Sequence, residues 1–319
     1  MKSQIIIREA VTEEEIAEFW QQLYTYFDRD IFPNPKDEDR EYFFGPEYRQ
    51  MIEKLHSRKE NPIHWLFFNQ NGIDIGFTQA VIYETEDGKC FILEFCIYPE
   101  YRGNGTGTRC AKAVLLWAKE NGALFAELNN DGDPRRRNFW NRIGFEDNGE
   151  DEWGVPLMRL TNACFSILNS FLQPLAEFTA GQIANWKYEA PYDAYSFKGD
   201  QDDYLLDEST WGTEQFFLMD GETVIGQVAC QFEGSDLWVG WSMNPAMVGK
   251  GYGSIFVRKC VEEIRRAKKH TGRLLLRVAA WNKRAIKAYQ RAGFTYLETI
   301  QDEIAYSGKT EDFWVMSIQ

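Results

Sequence analysis

The sequence predicts an α+β protein made of two copies of one domain, each with a mixed, mostly antiparallel sheet flanked by helices. Three short motifs recur in the same order at separations of 150, 146 and 149 residues. The pairs are Ile75-Gly76 with Ile225-Gly226, a glycine triplet from 103 with one from 249, and Gly144-Phe145 with Gly293-Phe294. The 319 residues also exceed the roughly 250–300 at which one core tends to split. We therefore expect one domain over 1–160 and another over 161–319.

Hydrophobic period and turn residues predict the elements of the first copy. Thr12 and Glu15 form a capping box that opens an amphipathic helix through Tyr26. Asn71-Gly72 predicts a hairpin turn between two strands. The predicted strands are 5–8, 63–69, 75–83, 91–98, 124–128 and 153–160, and the other predicted helices are 47–59, 108–120 and 138–143.

The second copy repeats this order. Thr179 and Gln182 predict a capping pair, Asp220-Gly221 a hairpin turn and Gly272 a helix stop. The predicted strands are 171–175, 215–219, 224–231, 238–243, 274–278, 295–300 and 313–318, with helices at 254–269 and 283–292. Antiparallel hairpins precede a late strand–loop–helix–strand unit, which favours α+β architecture over a doubly wound sheet. We expect the domain boundary within 161–169.

Composition excludes several classes of protein. A net charge of −14 argues against a general affinity for nucleic acid or anionic membrane, because both are polyanions. The six cysteines form no CxxC pair and the three histidines supply no zinc spacing, so we expect reduced, buried thiols and no metal. No run of about 18 apolar residues occurs and residues 1–15 do not resemble a signal peptide. We expect a cytoplasmic protein with no membrane segment.

A Gly-x-Gly-x-Gly loop joins a strand to a helix in both copies. Such a loop turns backbone N–H groups and the positive end of a helix toward an anion, so phosphate is its natural ligand. Thr108 and Ser254 stand where the dinucleotide spacing G-x-G-x-x-G requires glycine, and no P-loop motif occurs. The alternative is a tight turn whose glycines serve packing alone.

The run from Ile97 to Gly107 resembles the [Q/R]-x-x-G-x-[G/A] signature of the GNAT N-acetyltransferase superfamily. The run from Asn282 to Phe294 resembles that family's second signature, N-x-x-A-x-x-x-Y-x-x-x-G-F. The resemblance implies acetyl-CoA as cosubstrate, its pyrophosphate on the glycine loop, and an amine that attacks the thioester directly. The cofactor-binding residues that it implies are Ile97, Arg102, Gly103, Gly105, Gly107 and Thr108, and in the second copy Met243, Gly249, Lys250, Gly251, Gly253 and Ser254.

The two copies depart from these signatures at different points. Trp140 stands in the first copy where the second has Tyr289, and Val248 stands in the second where the first has Arg102. A neutral phenol with a pKa of about 10 can protonate a leaving thiolate, so we rank the second copy as the catalytic one, with Tyr289 as general acid. Asn282 is its second catalytic candidate. The alternatives are an aromatic ring that packs on its helix and an asparagine that caps that helix.

Glu94 is the catalytic candidate of the first copy. It lies on the strand that leads into the loop, where the family often has a carboxylate that helps to remove the amine's proton. The alternative is an outward-facing surface glutamate. The second copy has Gly240 at the matching position, which leaves its base unidentified.

Two acidic stretches, 28–41 and 200–208, precede the central strands, where the family builds its acceptor wall. They favour a cationic amine as acceptor, the alternative being that they only keep the protein soluble. An aromatic group is the second acceptor feature, with core packing as its alternative. It consists of Trp186, Tyr188, Tyr192, Tyr195 and Phe197.

The sequence therefore predicts an N-acetyltransferase that transfers an acetyl group from acetyl-CoA to a primary amine of a small, cationic molecule. One alternative is a non-catalytic acyl-CoA-binding or regulatory protein. A second is an acetyltransferase that acts on peptide or protein amines.

Overall fold

The computed structural model describes residues 4–130, 132–197, 204–303 and 309–319. The chain divides into two compact units, Met1–Phe165 and Ser166–Gln319, here called the N-terminal and C-terminal units. In the described ranges no helix is both long enough and apolar enough to cross a membrane.

The N-terminal unit alternates hairpins and helices. Its strands are β1 (Ile6–Glu9), β2 (Ile63–Gln70), β3 (Ile73–Ile82), β4 (Lys89–Ile97), β5 (Phe125–Asn129), β6 (Glu146–Glu150) and β7 (Pro156–Leu160). Its helices are α1 (Glu13–Tyr26), α2 (Arg40–Phe43), α3 (Pro46–His56), α4 (Thr106–Glu120) and α5 (Pro134–Ile143), and α6 (Asn162–Asn169) crosses into the next unit.

The C-terminal unit repeats this plan. Its strands are β8 (Phe171–Pro174), β9 (Gln215–Asp220), β10 (Thr223–Glu233), β11 (Asp236–Met243), β12 (Leu274–Ala279), β13 (Thr295–Glu303) and β14 (Thr310–Ile318). Its helices are α7 (Glu177–Ala184), α8 (Gly253–Lys268) and α9 (Lys283–Ala292).

The two sheets have the same topology. The strand orders are β1-β2-β3-β4-β5-β7-β6 and, from the other end, β8-β9-β10-β11-β12-β14-β13. One neighbouring pair is parallel in each sheet, β4 with β5 and β11 with β12, and the other pairs are antiparallel. The predicted α+β class, with a mixed and mostly antiparallel sheet in each copy, is confirmed.

The repeated motifs have structural causes. A Cβ at Gly76 would overlap the Cys96 carbonyl oxygen on the neighbouring strand, and one at Gly226 would lie 2.8 Å from the Ser242 oxygen. Only glycine permits so close an approach of two strands. The later Gly-Phe pairs end α5 and α9, where Gly144 has φ +126° and Gly293 has φ +107°.

The N-terminal unit has a core dominated by aromatic rings on the face covered by α1 and α3. Phe19 packs against Trp65, Phe67 and Phe77 with ring centroids 5.1–5.9 Å apart. The capping box of α1 forms as predicted, because the Thr12 hydroxyl accepts from Glu15 N at 3.2 Å and the Glu15 carboxylate accepts from Thr12 N at 3.0 Å. All six cysteines lie within the described residues and are buried, and none of them forms a disulfide.

The chain divides after Phe165, within the segment 161–169, and this segment forms α6, a helix that the sequence analysis does not include. Two local expectations are wrong. The predicted strand 153–160 begins only at Pro156, as β7, and the polar strand β6 that pairs with it was not predicted because it lacks hydrophobic alternation. Thr179 does not cap a helix: α7 begins two residues earlier, at Glu177, and Thr179 is buried within it.

Candidate functional site

The loop after β4 is shaped by consecutive residues with positive φ. Gly103, Asn104 and Gly105 have φ values of +92°, +49° and +74°. This left-handed backbone suits glycine and asparagine and strains other residues. It directs the chain into the first turn of α4, where the N–H groups of Gly107 and Thr108 have no intrahelical acceptor. The first loop therefore ends in a helix N-terminus suited to an anion.

The loop after β11 has the same form. Gly249 and Gly251 have φ values of +82° and +89°, and exposed Lys250 lies between them. Gly253 and Ser254 open α8, so their N–H groups also lie in a first helical turn. The predicted loop residues of the second copy thus come together as those of the first do.

The third glycine of each loop serves helix packing. A Cβ at Gly107 would lie 3.1 Å from the Phe139 ring of α5, and one at Gly253 would lie 3.1 Å from Ala288 Cβ of α9. Both contacts are tighter than an ordinary van der Waals contact. Replacement of Gly107 would push α5 away from α4, and replacement of Gly253 would push α9 away from α8.

Arg102 holds the first loop in place. Its Nε donates to the Ile97 carbonyl oxygen at 2.8 Å, and its Nη2 donates to the Asp30 carboxylate at 2.5 Å. Arg29 also pairs with Asp30, and Arg136 donates to the Asp30 carbonyl oxygen at 2.7 Å. Burial works against the charged form of Asp30, but the hydrogen bonds from Arg29 and Arg102 outweigh it and lower the pKa of the carboxyl group. Arg102 is therefore engaged in positioning the loop.

The C-terminal unit replaces this arginine with a residue from elsewhere in the chain. The Val248 side chain cannot donate a hydrogen bond, and the Tyr188 hydroxyl donates instead to the Met243 carbonyl oxygen at 2.8 Å. Met243 ends β11 as Ile97 ends β4. The same backbone carbonyl is thus satisfied in both units by different side chains, a substitution that no local sequence motif reveals.

A gap opens between the two central parallel strands of each unit. The pairing of β4 with β5 ends at Ile92, although β4 continues to Ile97, and the pairing of β11 with β12 ends at Trp238. Tyr98 N donates to β3 and Asn244 N donates to β10. Because successive N–H groups alternate in direction along a strand, those of the preceding residues, 97 and 243, point into the gaps.

A β-bulge determines where Glu94 points. Phe91 and Leu93 lie on the face of the aromatic core, so strict alternation would turn Glu94 to the opposite face. The register with β3 shifts between Ile92 and Glu94, which places Glu94 opposite Gln79 and on the core face. Glu94 is half-buried there, and the alternative of an outward-facing surface residue is wrong.

Glu94 lies among phenol groups. Burial raises the pKa of Tyr26 and of Tyr48, and the Glu94 carboxylate raises both further. The carboxylate is therefore close to two buried hydroxyls on the side of the sheet that faces α1 and α3. The corresponding register of β10 with β11 continues from Gly226 to Glu233 without a bulge.

In the C-terminal unit, the Tyr289 ring packs against the rings of Trp241 and Phe294. Its ring centroid lies 6.1 Å from that of Trp241 and 6.0 Å from that of Phe294. Burial raises the pKa of Tyr289, and the Trp241 side chain opposes this in part. The shift moves the phenol away from the pKa of about 8.5 of a thiol, so it is better suited to hydrogen bonding than to full proton transfer.

Asn282 has the capping role that the sequence left as an alternative. Its side-chain oxygen accepts from Ala285 N at 3.1 Å at the start of α9, and the residue is 8% exposed. Its position in the first unit is held by Asp133, which accepts from Arg135 N at 2.7 Å and caps α5.

Two further arginines lie near the glycine loops. Arg109 lies over the first loop, with its Nη1 3.0 Å from the Asn104 carbonyl oxygen. Arg284, which the sequence analysis missed, lies beside the second loop. Its Nη1 would be 3.9 Å from a Cβ added at Gly249. Lys259, in the second turn of α8, is buried in an ion pair with Glu263 at 3.1 Å.

The acceptor features from the sequence are only partly brought together. The acidic stretch 28–41 contributes Asp30 to the Arg102 contacts, whereas 200–203 lie outside the described residues. The aromatic group is divided. Trp186 and Phe197 pack in the core around Leu205, while the Tyr192 and Tyr195 rings lie 5.9 and 5.8 Å from Trp281.

The chain is similar to a known protein family and to several solved structures. The model of the acetyltransferase (GNAT) family matches residues 20–145 and again 180–294. Similar solved structures include spermidine N-acetyltransferase from Vibrio cholerae in complex with CoA and spermine, with TM-score 0.38 and 17% identity over 47% of this chain and 94% of that one. PaiA N-acetyltransferase from Thermoplasma acidophilum, in complex with coenzyme A, has TM-score 0.38 and 18% identity over 50% of this chain and 99% of that one. No curated protein matches.

The two matched segments cover more than half of the chain, one in each unit. Each segment includes the glycine loop and the helix that packs on it. The chain belongs to the acetyltransferase (GNAT) family.

Proposed function

We propose that the protein is an N-acetyltransferase that transfers an acetyl group from acetyl-CoA to a primary amine of a small, cationic molecule, and that its N-terminal unit performs the transfer. The observation that carries the proposal is the bulge in β4. It turns Glu94 toward the aromatic core, while Ile97 N–H, three residues later, points into the gap between the central strands. A proton acceptor and an oxyanion donor then lie on one strand.

The residues around the first loop fit the pyrophosphate of acetyl-CoA. The N–H groups of Gly107 and Thr108 would hold it, and Arg109 adds a positive charge beside them. A Cβ at Gly103 would meet no atom within 4 Å, so the loop borders open space. When bound, acetyl-CoA supplies an acyl thioester whose carbonyl carbon is open to attack by an amine.

The residues of this unit support direct transfer. As the amine nitrogen bonds to the acetyl carbon, Glu94 accepts the proton that the nitrogen loses. Ile97 N–H donates to the thioester oxygen, on which negative charge develops. The carbon–sulfur bond breaks, and solvent supplies the proton that the thiolate takes up. Trp140 offers no acid for this last step, because an indole N–H donates hydrogen bonds but does not ionise in this range.

The C-terminal unit has a side chain for the leaving thiolate but no carboxylate for the amine. Its loop would hold acetyl-CoA through Gly253 and Ser254, and Tyr289 would donate a hydrogen bond to the departing sulfur. Gly240 offers no carboxylate where the first unit has Glu94. We therefore propose slower transfer here, in contrast to the ranking that the sequence motifs favour.

Charge supports a cationic acceptor. Residues 1–160 carry 19 basic and 29 acidic side chains, a net of −10, against 16 and 20 in residues 161–319, a net of −4. A negative field raises the local concentration of cations. It also disfavours binding of an anionic acceptor near Glu94.

Calorimetric titration with acetyl-CoA, followed by a thiol-release assay with a panel of primary amines, tests the proposal. We expect binding, and thiol release that depends on the amine. Binding without thiol release for every amine would favour the acyl-CoA-binding alternative. Thiol release only with peptide amines would favour the alternative of an acetyltransferase that acts on peptide or protein amines. Absence of binding at millimolar acetyl-CoA would contradict the proposed function and both alternatives.

A further inference from the structure

Three side chains form a row across the N-terminal sheet. Trp65 on β2 lies directly opposite Gln79 on β3, and Gln79 lies directly opposite Glu94 on β4. Residues directly opposite each other on antiparallel strands point to the same face and lie about 4.5–5.5 Å apart at Cβ. The row therefore lies on the core face, under α1 and α3.

Gln79 is buried without a hydrogen-bond partner. The residue is 0% exposed, and among the described residues neither its amide nitrogen nor its amide oxygen makes a hydrogen bond. Buried polar groups in proteins are nearly always paired, because an unpaired one loses its bonds to water without replacement. The Gln79 carboxamide therefore has one donor group and one acceptor group to offer to a molecule that binds there.

Two indole groups near Gln79 are also buried without a hydrogen-bond partner for their N–H. Trp65 and Trp20 are each 2% exposed, their rings lie 5.9 Å apart, and neither Nε1 has an acceptor in the described part of the chain. The row and its surroundings thus offer N–H donors from two indoles and one carboxamide. Acceptors come from the Gln79 oxygen and the Glu94 carboxylate.

This donor and acceptor pattern restricts the ligand. The protonated nitrogens of a linear polyamine supply only N–H donors, so they would pair with Glu94 and the Gln79 oxygen and leave the Gln79 nitrogen and both indoles unpaired. An amine that also carries a hydroxyl or carbonyl oxygen would satisfy both kinds of group. Phenol and indole rings around the row would also contact a cation favourably.

We propose that the N-terminal unit selects primary amines that carry a hydrogen-bond-accepting oxygen, and that Gln79 is the residue that recognises this oxygen. The inference rests on the proposed function for turnover, but it concerns binding of the amine alone. It assigns to Gln79 a role in acceptor specificity, separate from the proton acceptance proposed for Glu94.

The test compares 4-aminobutan-1-ol with 1,4-diaminobutane, which differ only in the terminal group. The measured quantity is the ratio of their kcat/KM values in thiol release, amino alcohol over diamine. Gln79→Leu should lower this ratio by about tenfold, mainly through the KM of the amino alcohol, and leave acetyl-CoA affinity unchanged. It should also keep or raise the unfolding temperature, since it removes a buried unpaired group.

The matched control is Gln227→Leu in the C-terminal unit. Gln227 is also a buried glutamine on the third strand of its sheet, but its Nε2 lies 3.5 Å from the Gln215 oxygen. This variant should lower the unfolding temperature and leave the amine ratio unchanged. An unchanged ratio in Gln79→Leu, or an equal change in Gln227→Leu, would overturn the inference.

A binding arm separates this inference from the proposed function. Without acetyl-CoA, 4-aminobutan-1-ol should raise the unfolding temperature of the wild type more than that of Gln79→Leu. That difference would support the inference even if no amine were acetylated, and its absence would contradict the inference even if acetylation occurred. If Gln79→Leu did not fold, Gln79→Met would be measured in the same two assays.

Discussion

The two units share a strand order and a glycine loop, but they differ in the strand that leads into the loop. In the N-terminal unit a bulge turns Glu94 toward the aromatic core, whereas the matching register in the C-terminal unit is regular and has Gly240. The C-terminal unit has Tyr289 where the first has Trp140. The two copies thus share the glycine loop but differ in the side chains to which we assign the chemistry.

The largest expected effect comes from Glu94→Gln. Loss of the proton acceptor should lower turnover by about 10²–10⁴-fold at saturating substrates and leave acetyl-CoA affinity unchanged. Amine-dependent thiol release measures the turnover, and calorimetry measures the acetyl-CoA affinity. Glu100→Gln, an exposed carboxylate shortly after the same strand, is the control and should leave both unchanged. Full activity of Glu94→Gln would transfer the catalytic role to the other unit.

Tyr289→Phe sharpens the comparison from the other side. If Tyr289 only donates a hydrogen bond in the slower unit, total turnover should change by less than about twofold, since a neutral hydrogen bond contributes about 0.5–1.5 kcal/mol. In a Gly105→Val background the residual turnover should fall by up to about tenfold. A fall of 10²-fold or more in the otherwise wild-type protein would support the C-terminal unit as the catalyst.

Asp30→Asn tests the support of the first loop. Without the charged pair to Arg102, acetyl-CoA should bind the N-terminal unit about three- to tenfold more weakly, a loss of about 1 kcal/mol. Calorimetry should detect this change in one of two binding events. Equal weakening of both events would contradict the assignment of Asp30 to the first loop.

The same pair sets a pH dependence. The pKa of Asp30 is lowered in the folded state, so the stability that it contributes is present above the unfolded pKa of about 4 and is lost as pH falls through the folded value. The unfolding temperature of the wild type should therefore exceed that of Asp30→Asn by a constant amount from pH 8 to 5. The difference should shrink below about pH 4.

Most of the fold follows from the sequence because its signals are local. Gly76, Gly226 and the two Gly-Phe pairs mark positions where backbone approach or a helix end admits only glycine, so they recur in both copies. Polar β6 and helix α6 were missed because tertiary pairing and packing, rather than periodicity, stabilise them.

The candidate site was predictable only where it depends on the loop. The glycines and Tyr289 follow from spacing, but Gln79 meets Glu94 through strand register, and a single inserted residue in β4 decides which face Glu94 occupies. Asp30, Tyr188 and Arg284 act from segments distant in sequence. No periodic pattern carries that information.

The most direct test of the central claim is amine-dependent thiol release by Gly105→Val compared with Gly251→Val. Both positions have positive φ, +74° and +89°, where a β-branched side chain is strained, so each substitution should disable its own loop. If the N-terminal unit performs the transfer, Gly105→Val should lose at least about 10²-fold in turnover while Gly251→Val stays within about twofold. The reverse pattern would contradict the account.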